Sequence, residues 1–553
     1  MNAIVFGGYL VVSVLYFGIR VLAHPERTSV GGLFTDPQVF IWSFEWWPHA
    51  ILHGENPFYT HAIWAPDGFN LAWATTVPGL AIAFAPVTLA FGPILSYNAA
   101  CILMPALAAW TAYLLCRHMT GATWPSLVGG YLFGYSSYIL GGELSHVNTV
   151  AVFLVPLAAL VVLRFLDGTL SARALTLSLG ALLAAQISLS TEILFTVTLA
   201  LAGALALALV LVPTARVRLR MLAGPLIGAY GIAAVLTAPL IYYVLTGAQS
   251  RPPSGQQAFV ADALNFVVPT KATVGGWWSS RLARHFPAND IERGAYLGIP
   301  TLLIVAWFGL RWRRTQHGRF LIASFCLAAI AALGSWLTVD GRRITTLPWI
   351  HLAQLPLFDN IMPVRLSMFS ALAAAVIVAL WAASNIRPPW LRVLLPGLAV
   401  VALLPNLSWH AWARSPDIPS LFTTGKYRDC LRQGENVLTF PVGPRGDSMA
   451  WQAVSRFWFR MPGGYIGPTI PSTFTHPAGL AHLTTADNPS EVKIGAVLEL
   501  ARLKSVTSIV VDAKQGATWR PILSKLGPAQ NVSGALIYRL PWAARSYPLC
   551  SGS

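Results

Sequence analysis

The fold is decided by one uncharged stretch, residues 68–116, which reads GFNLAWATTVPGLAIAFAPVTLAFGPILSYNAACILMPALAAWTAYLLC. A helix that spans a bilayer needs about 20 largely apolar residues, so these 49 residues can hold two helices that separate at Gly92-Pro93. Ten more uncharged runs are long enough to span, or nearly so: residues 1–19, 119–142, 147–163, 174–191, 193–215, 221–250, 294–310, 320–339, 366–386 and 393–413. The sequence therefore predicts an all-α polytopic membrane bundle of about 11–13 transmembrane helices.

The composition of the 553-residue chain points the same way, since 55% of the residues are hydrophobic and only 10% are charged. Soluble domains carry about 25% charged residues, so a soluble multidomain enzyme, a coiled coil and a disordered scaffold are excluded. The formal net charge of +16 indicates basic loops at an anionic membrane surface. An anionic substrate such as a lipid phosphate is a second explanation for it.

Arginine-bearing turns set the predicted orientation, because short loops rich in Lys and Arg stay on the cytoplasmic side. These turns are residues 117–118, 164–173, 216–220, 311–319 and 387–392. The outer side then holds residues 20–67, 247–293, 340–365 and the chain after residue 413. With residues 20–67 outside, only one helix of the stretch 68–116 crosses completely, and residues 76–92 are predicted to form a short or re-entrant helix.

Inside the first outer loop, residues 37–53 (PQVFIWSFEWWPHAILH) are predicted to form a helix that lies in the membrane interface. One polar stripe recurs every four residues: Glu45, His49 and His53. The other face supplies apolar and aromatic anchors: Val39, Phe40, Trp42, Trp46, Trp47 and Ile51. A solvated polar face explains the stripe better than a metal site does.

The chain changes character near residue 410, which predicts a transmembrane domain over residues 1–409 and an extracytoplasmic α/β domain over residues 410–553. Three segments are typical of β-strands: Asn436–Val442, Val506–Asp512 and Ala535–Leu540. Residues 490–504 are typical of an amphipathic helix with Ser490 as its N-cap and Glu491 in its first turn. Cys430 and Cys550 lie in this part, where a disulfide forms only outside the cytoplasm.

Four ionisable residues at the outer ends of apolar segments are candidates for chemistry. Asp36 can take a proton from an acceptor hydroxyl, or it caps the helix that starts at Pro37. Glu143 and His146, in GGELSHVN, are functional candidates if they are buried between helices, or they sit in a wet loop. Glu192 follows 18 uncharged residues and precedes 23. It is a candidate ligand of a cation or hydroxyl, or it is an acid at a helix N-terminus.

Arg365 is the most informative basic residue, because it stands at the outer end of the span 366–386, against the positive-inside trend. Arginines at span ends often extend to the interface as anchors, which is the alternative here. A buried guanidinium suits a bidentate phosphate. Further positive charge lies on the same side: Lys271, Arg281, Arg284, Arg342 and Arg343.

With these residues in place, the chain resembles the integral-membrane glycosyltransferases of the GT-C type, which use polyprenyl-phosphate sugars as donors. It looks closest to the branch of bacterial mannosyltransferases and of rhizobial lipopolysaccharide glycosyltransferases. The resemblance runs in order through seven segments: Asp36-Pro37-Gln38, Trp47–Tyr59, Ala65–Trp73, Thr111–Gly121, Phe133–Val147, Gly294–Pro300 and Leu355–Arg365. It implies a GT-C-like catalytic domain in the membrane and an α/β domain behind it.

The resemblance also implies roles for single residues. Asp36 matches the first-loop acid that acts as catalytic base, or as a metal ligand in the oligosaccharyltransferase branch, and Arg365 matches the arginine that holds the donor phosphate. His146 and Tyr296 match less firmly defined cavity residues of the family. The sequence offers four further cavity candidates: Glu45, Glu143, Glu192 and Asn360. The paired acids of better-studied members are absent, because Pro37 and Gln38 follow Asp36. We therefore expect no cofactor and no obligatory divalent metal.

The predicted function is transfer of a hexosyl or pentosyl group from a polyprenyl-phosphate donor to an acceptor hydroxyl, with inversion. The predicted place is the outer side of the bacterial cytoplasmic membrane, in the assembly of a cell-envelope glycan or glycolipid, with a glycan, glycolipid or protein as acceptor and no nucleic acid. An O-antigen polymerase or ligase is an alternative that predicts a large outer loop with paired arginines. A transporter or flippase of lipid-linked oligosaccharide predicts charged or broken spans near mid-membrane.

Overall fold

The computed structural model describes residues 1–247, 255–467, 471–474, 483, 492–543 and 550. The helices in the first half of the bundle are α1 (Asn2–Ser13), α2 (Pro37–Leu52), α3 (Pro78–Ala83), α4 (Ala85–Phe91), α5 (Pro93–Thr120), α6 (Thr123–Gly134), α7 (Ser137–Glu143), α8 (Val147–Val150), α9 (Leu154–Leu166), α10 (Ala172–Leu189), α11 (Thr191–Leu211), α12 (Arg216–Met221), α13 (Ala223–Leu236) and α14 (Ala238–Thr246). The second half adds α15 (Gly276–Ala283), α16 (Ile299–Trp312), α17 (Gln316–Ala332), α18 (Trp349–Leu352), α19 (Ser367–Ala383) and α20 (Leu391–Ala402).

The C-terminal part contributes α21 (Ser420–Thr423), α22 (Tyr427–Cys430), α23 (Ser448–Val454), α24 (Ile494–Leu503) and α25 (Gly516–Leu523). The strands are β1 (Ser29–Val30), β2 (Tyr59–Thr60), β3 (Phe69–Asn70), β4 (Trp336–Val339), β5 (Arg342–Thr346), β6 (Ala413–Arg414), β7 (Val437–Phe440), β8 (Ser508–Asp512), β9 (Gln530–Val532) and β10 (Ala535–Arg539).

Five helices of the described chain are long and apolar enough to span a bilayer: Pro93–Thr120, Val147–Leu166, Ala172–Leu189, Thr191–Leu211 and Pro363–Ala383. A bent pair, Pro213–Met221 and Ala223–Leu236, makes six if it counts as one span. Shorter apolar helices of 10–17 residues are Asn2–Gly18, Ile299–Trp312, Gln316–Ala332 and Leu391–Ala402. The chain is a multi-pass membrane protein with a mostly helical bundle, as predicted, and the total of about 11–13 spans stays a prediction.

The two ends of the bundle carry different residues, and α5 joins them. At one end His118 pairs with Asp167 at 2.8 Å, and Arg218 donates a hydrogen bond to the last carbonyl of α9. At the other end the Asn98 Oδ1 accepts a 2.9 Å hydrogen bond from the backbone of β1 in the first outer loop. Asn98 and His118 are about 30 Å apart along α5 at 1.5 Å per residue, which equals the thickness of the hydrocarbon core.

Residues 76–92 form short helices, as predicted. They form α3 and α4, helices of six and seven residues, neither of which is long enough to cross a bilayer. Gly92, with φ of 89°, ends this segment, and α5 begins at Pro93. The glycine takes the left-handed backbone that other residues avoid, and the proline suits the first helical position.

The C-terminal part contains a four-stranded sheet with the order β7-β8-β10-β9. Strands β7 and β8 are parallel, and the other pairs are antiparallel. All three predicted strands are confirmed as β7, β8 and β10, and the predicted helix is confirmed as α24, while its expected N-cap Ser490 and Glu491 lie outside the described residues. A disulfide joins Cys430 to Cys550. No feature decides the boundary between residues 409 and 410, which stays a prediction.

Helix α2 begins at Pro37, as predicted, and ends at Leu52, one residue before the predicted end. Its surroundings differ from the prediction. Trp42, Trp46 and Trp47 are buried within the protein, so their expected role as membrane anchors is wrong. The Trp42 indole donates a 2.7 Å hydrogen bond to Gln452 on α23. The helix therefore packs between the bundle and the C-terminal part, because the second part of the chain covers its aromatic face.

Candidate active site

The first outer loop passes against the corner between α7 and α8. Strand β1 pairs with β6, and Gly31 follows it with φ of 77°. A Cβ at Gly31 would lie 2.6 Å from the carbonyl oxygen of Leu144, so only glycine permits this approach. Asp36 comes five residues later and thereby lies beside Ser145 and His146.

Asp36 occupies the N-cap position of α2, and Pro37 is the first helical residue. Its carboxylate makes no capping hydrogen bond to the first helical turn. One oxygen accepts a hydrogen bond from the Tyr465 hydroxyl, and the other accepts one from Ser145 Oγ at 3.1 Å. The side chain is 19% exposed, so a ligand can reach it. The capping alternative is therefore wrong for the Asp36 side chain.

His146 lies between two carboxylates. Its Nε2 is 3.5 Å from Asp36 Oδ2, and its Nδ1 is 3.4 Å from Glu292 Oε1. The corner between α7 and α8 holds the ring in this position. A Cβ at Gly141 would collide with the carbonyl oxygen of Ile291, so the glycine lets the loop that carries Glu292 lie directly on α7.

Arg365 continues this arrangement on the far side of Glu292. It donates hydrogen bonds to both carboxylate oxygens of Glu292, one of them from Nε at 3.0 Å. A third hydrogen bond runs from its Nη1 to Glu192 Oε2. Arg365 is buried, so its role as an interfacial anchor is excluded. Five residues therefore form a continuous series, which we call the ionic chain: Asp36, His146, Glu292, Arg365 and Glu192.

The ionic chain shifts the proton affinities of its outer-loop members. Burial alone raises the pKa of Asp36, but the bonding and charge of His146, with the two hydroxyl donors, hold it below its usual value. Burial alone lowers the pKa of His146, yet Asp36 and Glu292 raise it to about 9. Burial alone raises the pKa of Glu292, but Arg365 and His146 lower it. At neutral pH His146 is therefore an imidazolium between two carboxylates.

The structure brings together four of the predicted site residues: Asp36, His146, Glu192 and Arg365. Glu143 is fully buried nearby rather than in a wet loop, and its carboxylate accepts no hydrogen bond from the described residues. Glu192 stands in the first turn of α11, which agrees with the helix N-terminal alternative as well. Whether these residues have the predicted roles stays untested by the geometry.

The other cavity candidates lie outside the ionic chain. Glu45 lies more than two turns further along α2, where burial raises its pKa to about 7, partly offset by Arg456. Tyr296 is buried in the hydrophobic core of the bundle, and Asn360 is exposed. Each of the three is a polar residue in a mostly apolar segment of the sequence. The fold places their side chains away from the ionic chain.

Two residues of the site were not predicted from the sequence. Glu292 lies in the outer loop just before the segment Gly294–Pro300. Because Arg293 follows it directly, the sequence suggests an ordinary pair of opposite charges on the surface. Tyr465 belongs to the C-terminal part, 429 residues from Asp36, and no pattern in the chain links the two. In the described residues no group of three or more His, Cys, Asp or Glu side chains is arranged to hold a metal ion. The expectation that no divalent metal is obligatory stays a prediction.

Comparisons with known proteins address the family and the fold. Residues 5–404 match the family described as "Domain of unknown function (DUF6311)". No curated protein matches the chain in sequence. Among solved structures, the chain is similar to the archaeal oligosaccharyltransferase AglB from Archaeoglobus fulgidus in complex with an inhibitory peptide and a dolichol-phosphate. The TM-score is 0.51 at 13% identity, over 99% of this chain and 75% of AglB.

A second similar structure is the arabinofuranosyltransferase AftD from Mycobacteria. The TM-score is 0.57 at 13% identity, over 98% of this chain but only 40% of AftD. Both neighbours are GT-C enzymes, so the predicted GT-C-like fold, with a helical membrane bundle and a C-terminal part that contains strands, is confirmed. At this identity the similarity concerns the fold alone.

Proposed function

The chain belongs to the DUF6311 family, and we propose that it is a membrane glycosyltransferase that uses a polyprenyl-phosphate sugar as donor. It transfers a hexosyl or pentosyl group to an acceptor hydroxyl on the outer side of the cytoplasmic membrane. One observation carries the proposal: an accessible carboxylate, Asp36, and a buried guanidinium, Arg365, belong to one ionic chain. The GT-C fold and the dolichol-phosphate in the AglB complex support the donor class.

Asp36 is proposed to bind the acceptor hydroxyl and to take its proton as the oxygen attacks the anomeric carbon. The attack comes from the face opposite the lipid phosphate, so the product has an inverted anomeric centre. His146 keeps Asp36 ionised and fixes its direction. The hydroxyl of Tyr465 occupies one carboxylate oxygen of Asp36, and the acceptor hydroxyl takes this place when it binds.

Arg365 is proposed to stabilise the negative charge that develops on the departing phosphate. A guanidinium has five N–H groups, and three of them bind Glu292 and Glu192. Two therefore point elsewhere, as far as the described residues go, and can bind phosphate oxygens. Lys271 and Arg293 share one carboxylate, Asp290, at 3.5 and 2.8 Å, and their excess positive charge lies next to Glu292.

The outer location of the site is part of the proposal. The site lies at the end of the bundle opposite the turn that contains His118, Asp167 and Arg218, and arginine-rich turns favour the cytoplasm. The disulfide between Cys430 and Cys550 favours an oxidising compartment for the C-terminal part. We propose that the enzyme acts in assembly of a bacterial cell-envelope glycan or glycolipid and needs no obligatory metal.

The test uses the full chain in liposomes with radiolabelled decaprenyl-phosphate hexose and an envelope glycan extract as acceptor. We expect Asp36→Asn to reduce transfer at least 100-fold, within the range that general acid–base catalysis contributes, and Arg365→Ala to reduce it comparably. Asp167→Asn is the matched control, since Asp167 also pairs with a histidine but lies at the other end of α5. Transfer at the normal rate in both site variants contradicts the proposal. Label that crosses the bilayer unchanged, without transfer, favours the flippase alternative.

A further inference from the structure

A cavity of about 180 Å³ adjoins the Glu192 end of the ionic chain. It is far larger than the roughly 10–15 Å³ that a single water needs, and smaller than the roughly 300–1,000 Å³ pockets that hold drug-sized ligands. Its walls come from the end of α2, the loop before α3, the turn between α10 and α11, and Leu240 on α14. The proposed mechanism does not use this cavity.

Two residues that line the cavity each have a side-chain oxygen without a hydrogen-bond partner in the described structure. Asn148 is 7% exposed, and its Oδ1 accepts no hydrogen bond from the described part of the protein. Glu192 Oε1 is likewise unpartnered within those residues, while its Oε2 accepts from Arg365. Buried polar atoms in proteins are normally hydrogen-bonded. A ligand of this cavity that carries hydrogen-bond donors would satisfy these two oxygens.

The rest of the lining narrows the ligand class. Glu192 shares Arg365 with Glu292, and no group of side chains that could hold a metal ion lies in the described residues, so its free oxygen suits a hydroxyl donor. The indole N–H of Trp47 donates to Thr76 at 3.1 Å, which leaves its ring as an apolar wall. The lining also contains small hydroxyl side chains, and apart from the two acceptor residues its remaining residues are apolar; the hydroxyl residues are Thr75, Thr76, Ser188, Ser190 and Thr191. An apolar wall with hydroxyls and two free acceptors fits a ring that carries hydroxyl groups on its edge.

We propose that this cavity binds one neutral sugar ring, whose hydroxyl groups donate hydrogen bonds to Asn148 Oδ1 and Glu192 Oε1. The assignment rests on the proposed function, because it takes the ring from one of the two substrates. The ring is either the sugar of the lipid-linked donor or a sugar residue of a glycan acceptor. Both present the same chemistry to the cavity.

The experiment measures binding to the full chain in lipid nanodiscs. The probes are decaprenyl phosphate, decaprenyl-phosphate hexose and methyl hexopyranosides. Asn148→Leu removes the acceptor at similar size, Leu240→Trp fills the cavity from α14 without a change of charge, and Asn531→Leu, at an exposed position on β9, is the matched control. We expect Asn148→Leu to weaken a sugar probe about five- to tenfold, the effect of one lost hydrogen bond, and Leu240→Trp to weaken it at least as much because the indole occupies the space of the ring.

The pattern across the probes identifies the source of the ring. If the ring belongs to the donor, the cavity variants weaken decaprenyl-phosphate hexose but leave sugar-free decaprenyl phosphate unchanged. If it belongs to the acceptor, both lipid probes are unchanged and the methyl hexopyranosides are weakened. Wild-type affinity for every sugar probe in both cavity variants overturns the assignment. Wild-type protein that binds the methyl hexopyranosides but neither binds nor uses the lipid-linked sugar overturns the proposed donor instead, and the cavity assignment stands.

Discussion

The protonated form of His146 is expected to hold the ionic chain together, and a rise in pH removes its proton. The imidazole lies 3.5 Å from Asp36 and 3.4 Å from Glu292, and these carboxylates raise its pKa to about 9. The ordinary value is near 6.5, so the rise corresponds to roughly 3 kcal/mol at about 1.4 kcal/mol for each tenfold change in proton affinity. Because the folded protein binds this proton more tightly, the stabilisation is complete below pH 6.5 and is lost as the pH rises to about 9.

The assay is chemical unfolding of the full chain in nanodiscs between pH 6 and about 9.5, with the free energy of unfolding as the result. The wild-type value is expected to fall by up to about 3 kcal/mol over this range. His146→Gln is expected to be less stable at pH 6 and to lack most of this decline. The control is His118→Gln, which changes a histidine that also pairs with an aspartate, at 2.8 Å, but lies in an exposed position away from the site.

A wild-type stability that stays constant from pH 6.5 to 9 would refute the reasoning. The same conclusion follows if His146→Gln shows the full wild-type decline, because some other group would then be losing its proton. If the decline disappears in His118→Gln instead, the group that loses its proton lies at the other end of α5.

Three further perturbations follow from the same contacts. Arg365→Met leaves the Glu192 carboxylate without its cation and the buried Glu292 carboxylate with His146 alone, so the free energy of unfolding should fall by about 3–5 kcal/mol; chemical denaturation measures it, and a change below about 1 kcal/mol contradicts the ion pairs described. Tyr465→Phe removes a hydrogen bond that favours the ionised form of Asp36 in the free enzyme, so the acid limb of the pH profile of kcat/KM for sugar transfer should move to higher pH; an unmoved limb means that this contact does not act on Asp36. Cys430→Ser opens the link to Cys550 across a separation of 120 residues and should destabilise the C-terminal part by about 2–5 kcal/mol, while dithiothreitol should destabilise the wild type and leave the variant unchanged.

The sequence by itself determined the membrane bundle, because the uncharged runs are a local property that no later contact can reverse. Charged residues are costly inside a bilayer, so the segment that starts at Pro93 had to be a helix of spanning length. For the same reason Asp36, His146, Glu192 and Arg365 could be picked out from the sequence. Each is an ionisable residue at the edge of an apolar segment, where it needs a partner.

Tertiary structure alone decided who those partners are. Glu292 reaches Arg365 across 73 residues of chain, and Tyr465 reaches Asp36 across 429. Helix α2 shows the same limit, since its aromatic face was visible in the sequence while the layer that covers it, which includes Gln452 on α23, was not. Periodicity shows which face of an element must leave water, but lipid and protein satisfy that requirement equally well. Only the folded chain shows which of them lies there.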